Sequence, residues 1–462
     1  MEDATTFHIV MLPWLAFGHL HPFFELSKSL AKRGHQISFI STTRNLRRLP
    51  DVPPHLSPLI RFVPLPLPHV DGLPDSAEAT CDLPQSSFQY LKKAFDGLEQ
   101  LFVQFINQSS PRADWIIHDF AAYWASKAGV PCIFYSTFPA STLAFFGRPS
   151  DMGKGGGSLK GLTGPSKRVP FPTTVAYRYH EAIRLALDCL QPNASGVPDW
   201  LRTKLSLENS KLVAPRSCTD FEADWFQVLL DIYDKPVVPV GLLPPQLPES
   251  GQRRDEKVFN FLDTQTPGSV IYVALGSEAT IGGEQLHELA LGLELSGLPF
   301  LWALRKPTST VETGGIGLLP EGFEGRTQGR GLVAMGWVPQ VDVLAHEAVG
   351  GFLTHCGWGS LIEGLEFGRP LVMLPVFADQ GLNARAMGEK KLGLEVERDE
   401  ENGFFVREAV AKAVKVVMVE EEGEVIRSKA KEMRGIFGDK ERQERYVDGF
   451  VKCLAIHRLG TL

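Results

Sequence analysis

The stretch HIVMLPWL (8–15), followed by HPFFELSKSLAKRG (21–34) and HQISFIST (35–42), decides the fold. A buried-strand pattern, a helical pattern and a second buried-strand pattern succeed one another. DWIIHDF (114–120), AAYWASKAGV (121–130) and PCIFYST (131–137) repeat the alternation. Such βαβα order implies a parallel sheet covered by helices. Working outward, the composition turns to Gly, Ser, Lys and Pro between Gly147 and Pro172, which reads as a surface loop inside a domain, and helical patterns resume from about Tyr177. The segment VGLLPPQLPESGQRRDEK (240–257), rich in proline and charge, reads as a linker over 241–257. Beyond it the alternation restarts with SVIYVAL (269–275), a helix from about Glu284 to Leu295, PFLWALR (299–305), GLVAM (331–335), GGFLTH (350–355), PLVMLP (370–375) and LGLEV (392–396). The expected fold is therefore α/β, with two doubly wound Rossmann-like domains, 1–240 and 258–440, facing across a cleft. Residues 441–462 read as a C-terminal helix that packs back on the first domain. No repeat is visible residue by residue.

Composition narrows the function. A chain of 462 residues with 44% hydrophobic and 22% charged residues can bury two ordinary cores. A net charge of -7 without a basic block excludes nucleic acid or an anionic membrane as the main partner and leaves small molecules. Six cysteines without a CxxC spacing write neither a zinc site nor a disulfide framework. The polar start 1–6 and the short apolar run His8–Leu15 do not make a signal peptide, and no apolar run reaches the roughly 18 residues of a membrane span. A cytoplasmic monomer is expected, for which the sequons at Asn107 and Asn193 are chance.

Familiar catalytic patterns are missing. GRPSDMGKG (147–155) is one residue too long for a phosphate loop, and no Ser or Thr follows Lys154. No GxGxxG follows a strand, His287-Glu288 and His346-Glu347 lack the second His of a zinc-binding HExxH, and there is no GxSxG.

The segment WVPQVDVLAHEAVGGFLTHCGWGSLIEGLEFGRPLVMLPVFADQ (337–380) carries the chemistry. Trp337, between a strand and a proline, offers an indole for a nucleobase, although a core or interface tryptophan is the competing reading. GGFLTH ends at His355, and GWGS opens a helix whose first N–H groups and positive end suit a diphosphate. Ser277, after VALG, repeats that arrangement at the first strand of the second domain. Ser360 and Glu363 also fit a capping box, and Asp379 with Gln380 fits an N-cap and its first turn. In the first domain, His19 and His21 both follow a strand, and either is placed to act as a general base. Asp119, ending DWIIHDF, stands on a neighbouring loop, and alternation turns His118 the other way.

The segment 337–380 resembles, almost position for position, the signature box of plant family-one UDP-glycosyltransferases. PWLAFGHLHP (13–22), PVVPVGLLPP (236–245) and VALGSE (273–278) extend the similarity over the whole chain, which is most similar to the branch-forming members that add a sugar to a sugar on a small molecule. The resemblance implies the two-domain GT-B arrangement and a UDP-sugar co-substrate with neither cofactor nor metal. It implies a base at His19 oriented by Asp119. It assigns phosphate to His355 and Ser360, ribose to Gln340 and Glu363, and sugar hydroxyls to Asp379 and Gln380. Val338, Gly357, Trp358 and Gly359 complete the expected UDP-sugar set with Ser277 and Trp337. Gly359 departs from the family, which usually has Asn there, and puts donor choice in question. The implied reaction is a direct displacement with inversion, moving glucose to a sugar hydroxyl of a terpenoid or flavonoid glycoside. UDP-rhamnose is the alternative donor, and a non-catalytic nucleotide-sugar binder the alternative class. A paired-carboxylate glycosidase has no need of a nucleotide site.

Overall fold

The computed structural model describes residues 6–151, 159–189, 191–245, 255–276, 278, 281–305 and 317–459. Twelve strands form two six-stranded parallel sheets among them. The first runs in the order β3-β2-β1-β4-β5-β6, where β1 is His8–Leu12, β2 Gln36–Ser41, β3 Ile60–Pro64, β4 Trp115–His118, β5 Cys132–Ser136 and β6 Leu212–Pro215. The second runs β12-β11-β10-β7-β8-β9, where β7 is Val270–Ala274, β8 Phe300–Leu304, β9 Gly331–Met335, β10 Val349–Thr354, β11 Leu371–Met373 and β12 Gly393–Glu395. Both β1 and β7 are buried along their whole length, as a parallel strand covered on both faces requires.

Each sheet reverses its winding beside its first strand. In one, Leu12 of β1 lies opposite His118 of β4; in the other, Ala274 of β7 lies opposite Thr354 of β10. The connections leaving two such strands diverge and open a crevice at their carboxyl ends. The two halves thus share a topology, and each presents its crevice to a common cleft.

Two expectations need correction. AAYWASKAGV is not a helix: only the 3-10 turn Ala125–Ala128 forms, because the Asp119 carboxylate takes the N–H of Ala121 and fixes the chain in a turn as it leaves β4. Strands β3 and β6 have no counterpart in the alternation read from the sequence. Both lie at the edges of the sheet and end in a proline, which breaks a strand pattern, and β3 mixes buried and exposed positions.

Several contacts tie the halves together. The last helix, Lys440–Leu459, lies on the first domain, with Val447, Phe450 and Leu454 in the core that holds Ile9 and Phe23. Arg33 pairs with Glu444 and Asp448 at 2.8 and 2.7 Å. In the other direction, the helix Tyr179–Cys189 rests on the second domain, where Glu181 pairs with Arg385, and Arg178 with Glu395 at 3.3 Å. No described helix is long and apolar enough to cross a membrane.

Candidate functional site

The loops after β1, β4, β7, β10 and β11 line one cleft of about 2900 Å³ between the domains. On the first domain, helix Phe17–Ala31 begins directly after β1, and His19 sits in its first turn. His19 Nδ1 lies 2.9 Å from Asp119 Oδ2. The carboxylate is 2% exposed and also accepts the N–H groups of Trp14 (2.6 Å) and Ala121 (3.0 Å). An ionised carboxylate only accepts, so the neutral imidazole carries its proton on Nδ1 and leaves Nε2 as a base. His21 also lines the cleft but has no carboxylate partner among the described residues, and enclosure together with Lys28 and Arg216 holds its pKa down to about 4. His118 is buried, its Nδ1 on the Asp119 carbonyl at 2.8 Å, and does not reach the cleft.

On the second domain, β9 ends before Gly336, whose φ of 101° turns the chain so that Trp337 stands 71% exposed at the cleft. A packing role cannot account for so open an indole. The Val338 side chain is in the core, so it can offer a ligand only backbone. Gln340 Nε2 donates to Glu363 Oε2 at 2.6 Å and to Ser360 Oγ at 3.2 Å. These three residues form one polar cluster, in which burial raises the Glu363 pKa.

The helix Trp358–Glu366 starts one turn earlier than a cap at Ser360 would place it. Gly357 is the N-cap and supplies no side-chain bond, so the capping-box reading of Ser360 and Glu363 fails. The first-turn N–H groups stay open toward the cleft. Cys356, with φ of 67°, makes the turn into this helix. Beside it His355 is packed so tightly that a Cβ on Gly276 or Gly357 would come within 2.6 or 2.5 Å of its Nε2. Its Nδ1 is buried without a hydrogen-bond partner among the described residues, and burial lowers its pKa to about 4. It therefore meets a ligand as a neutral group.

Asp379 and Gln380 follow Ala378, which has φ of 55°. Asp379 is at the N-cap position of helix Gln380–Glu389 without capping it. Its carboxylate accepts from Asn383 Nδ2 at 2.6 Å, and burial raises its pKa to about 6. Asn383 Oδ1 in turn accepts from Thr142 of the first domain at 3.0 Å. Gln380 Oε1 accepts the N–H groups of Val376 (2.9 Å) and Phe377 (3.0 Å). Its amide is thus half committed to shaping the loop, and only the nitrogen is left to donate.

Trp358 also differs from the expectation. Its indole is 3% exposed, donates to the Arg216 carbonyl across the domain boundary and stacks on Phe221. Buried this way, it cannot present a ring to a ligand. Gly359 is open: among the described residues a Cβ there would meet only Arg216 Nη1, at 3.6 Å. Ser277 lies outside the described residues. Sequence reasoning missed Glu278, which accepts from Thr80 Oγ1 at 2.7 Å across the cleft and lies within electrostatic reach of His19. The only signal for it was its place in VALGSE.

A family model described as UDP-glucoronosyl and UDP-glucosyl transferase matches residues 250–428. The chain is 44% identical to UDP-glycosyltransferase 91D1 of Stevia rebaudiana over 98% of this chain and 93% of that protein. It is 40% identical to the soyasaponin III rhamnosyltransferase of Glycine max, over 98% and 96% respectively. Among solved structures, Phytolacca americana UGT2 complexed with UDP-2fluoro-glucose and pterostilbene matches with a TM-score of 0.71 at 25% identity, covering 99% of this chain and all of that one.

Proposed function

The chain belongs to the plant UDP-glycosyltransferase family, and from that premise we propose that it transfers glucose from UDP-glucose, with inversion, to a sugar hydroxyl of a terpenoid or flavonoid glycoside. Transfer of a glycosyl group from a UDP-sugar is the activity of the family; donor, acceptor and the roles of individual residues are our reading. The observation that carries it is the His19–Asp119 pair at 2.9 Å, facing the same cleft as the uncapped end of helix Trp358–Glu366.

In this mechanism His19 Nε2 takes the proton of the acceptor hydroxyl as its oxygen attacks the anomeric carbon, and Asp119 stabilises the imidazolium that forms. The bond to the diphosphate oxygen breaks in the same step. The leaving UDP is held by the helix N–H groups, by neutral His355 and by the Ser360 hydroxyl, while Trp337 stacks on uracil and Gln340 with Glu363 holds the ribose. Asp379 and the Gln380 nitrogen face the transferred sugar.

Acceptor size follows from volume. Sites for small ligands occupy roughly 300 to 1,000 Å³, and the cleft of about 2900 Å³ leaves room for a bulky acceptor beside a UDP-sugar. Phe120, Phe138, Phe145 and Phe146 give it an apolar wall suited to a polycyclic aglycone. We place acceptor binding in residues 1–240 and donor binding in 258–440, in a cytoplasmic monomer.

Rhamnose is the second reading, favoured by the similarity to a rhamnosyltransferase and by the open space at Gly359. The deciding experiment offers UDP-glucose and UDP-rhamnose separately with a panel of glycosides and aglycones, and identifies products by mass. Glucosylation of glycosides alone is expected. Transfer only to aglycones, or only of rhamnose, would overturn the corresponding part.

A further inference from the structure

Arg216 directly follows β6, in the first domain, and its side chain is buried at 3% exposure. Two of its nitrogens are committed: Nε donates to the Leu242 carbonyl at 2.8 Å and Nη2 to the Leu243 carbonyl at 3.0 Å. Its own carbonyl is gripped by Trp358, so the residue is fixed from both domains. Nη1 has no acceptor among the described residues, and it points at Gly359, 3.6 Å from where a Cβ would stand. Glu25, Glu363 and Tyr135 act on the guanidinium through space, yet no described carboxylate comes within ion-pair distance.

A buried cation without an anion is costly, and a guanidinium cannot relieve the cost by losing its proton. The missing anion belongs where Nη1 points. That place is the second residue of helix Trp358–Glu366, whose first-turn N–H groups have no cap. Two independent donors, one from each domain, thus converge on one spot in the cleft.

We propose that Arg216 is a diphosphate-binding residue: Nη1 donates to the diphosphate of the UDP-sugar from the first domain, opposite the helix end that holds it from the second. This rests on the nucleotide-sugar reading of the site. It also explains why Gly359 is tolerated, because Arg216 already supplies a donor in the direction a side chain at 359 would take. A further consequence is that diphosphate binding draws on both domains, while uridine binding draws on the second alone.

The test is calorimetric binding of UDP and of uridine to the full chain, in wild type, Arg216→Met and Arg216→Lys. Loss of one charge-assisted bond to phosphate weakens binding by roughly 10- to 100-fold. The methionine variant is expected to lose that much for UDP and less than about twofold for uridine, with the lysine variant between it and wild type. Equal weakening of both ligands, or an unchanged UDP-to-uridine ratio, would overturn the proposal by making Arg216 a packing residue only. If the methionine variant does not fold, the ratio in the lysine variant decides in the same way. Wild type that binds neither UDP nor uridine would overturn the nucleotide-sugar reading itself, a result distinct from selective loss in a variant.

Discussion

Trp358 Nε1 donates to the carbonyl of Arg216 at 2.7 Å, joining the helix that opens the second domain's crevice to the end of the last strand of the first domain. Trp358→Phe keeps the ring contacts with Phe221 and Phe437 but strands that carbonyl. A buried acceptor left unpaired costs about 1 to 3 kcal/mol. Thermal unfolding should therefore begin several degrees lower, with UDP binding less affected than stability. An unchanged melting temperature would show that water or relaxation replaces the bond.

His19→Ala should abolish turnover while leaving UDP affinity nearly unchanged, because none of the groups assigned to the nucleotide, Arg216 included, depends on the imidazole. General bases contribute roughly 10²- to 10⁴-fold, so a variant that retains more than about a tenth of wild-type kcat would show the base to be elsewhere. His21→Ala should be milder, since His21 has no described carboxylate to orient it. Asp119→Asn should fall between them: its one amide oxygen can accept from only one of the N–H groups of Trp14 and Ala121, which now bond to different carboxylate oxygens, and it no longer supports an imidazolium.

Trp337→Ala should weaken UDP and UDP-sugar alike, by the roughly 1 to 3 kcal/mol of a base stacked on an aromatic ring. At 71% exposure the indole has little packing to lose, so the melting temperature should not move. Calorimetry separates the two effects. A stability loss with unchanged UDP affinity would return Trp337 to a structural role.

How far these residues could be read in advance depended on the kind of signal. Buried parallel strands such as β1 and β7 are continuous apolar runs and announce themselves, and the carboxyl ends of β1 and β10 bring His19 and His355 to the cleft. The edge strand β6, LVAP, ends in a proline that hides it as a strand, and Arg216 beyond it was missed with it. The uses of Trp358 and Gln380 were hidden for another reason. Each is decided by a partner that the motif does not contain: a carbonyl 142 residues away for one, and the N–H groups of a loop whose shape is not written locally for the other. Motif position shows that a residue is near a site, while hydrogen-bond accounting shows which of its atoms remain available.

Burial raises the Asp379 pKa to about 6, which couples sugar recognition to pH. Above that value the carboxylate accepts from a sugar hydroxyl; below it the proton competes. KM for the UDP-sugar should rise as pH falls through 6 while the affinity for uridine stays flat, because uridine carries neither the sugar nor a phosphate that titrates in this range. The sign for stability is opposite. A carboxyl whose folded-state pKa lies above the ordinary 3.8 favours folding most at low pH, and that contribution is lost as pH rises through 6. Asp379→Asn, which can still accept from Asn383, should therefore raise the melting temperature at pH 8 and remove the inflection in KM, at reduced turnover. An inflection near 6 that survives the substitution would assign it to another group.

Donor choice turns on Gly359 and Gln380 together. Gln380 spends its oxygen on the loop, so its nitrogen can donate to a hydroxyl but the amide cannot also accept. That weakens the case for strict reading of adjacent equatorial hydroxyls, which needs both functions. Asp379, whose carboxylate keeps acceptor capacity beyond the Asn383 bond, remains the stronger reason to expect glucose. At Gly359 an asparagine is sterically free, with only Arg216 Nη1 near its Cβ, and the amide oxygen would turn toward that cation. Gly359→Asn should then shift the competition between equal UDP-glucose and UDP-rhamnose toward glucose, because a buried polar group added near the sugar discriminates against a donor that lacks a matching hydroxyl. The measurement is the ratio of product masses in wild type and variant. Rhamnosyl product alone from the wild type would sink the glucose reading, and an unaltered ratio in the variant would show that position 359 has no part in selectivity.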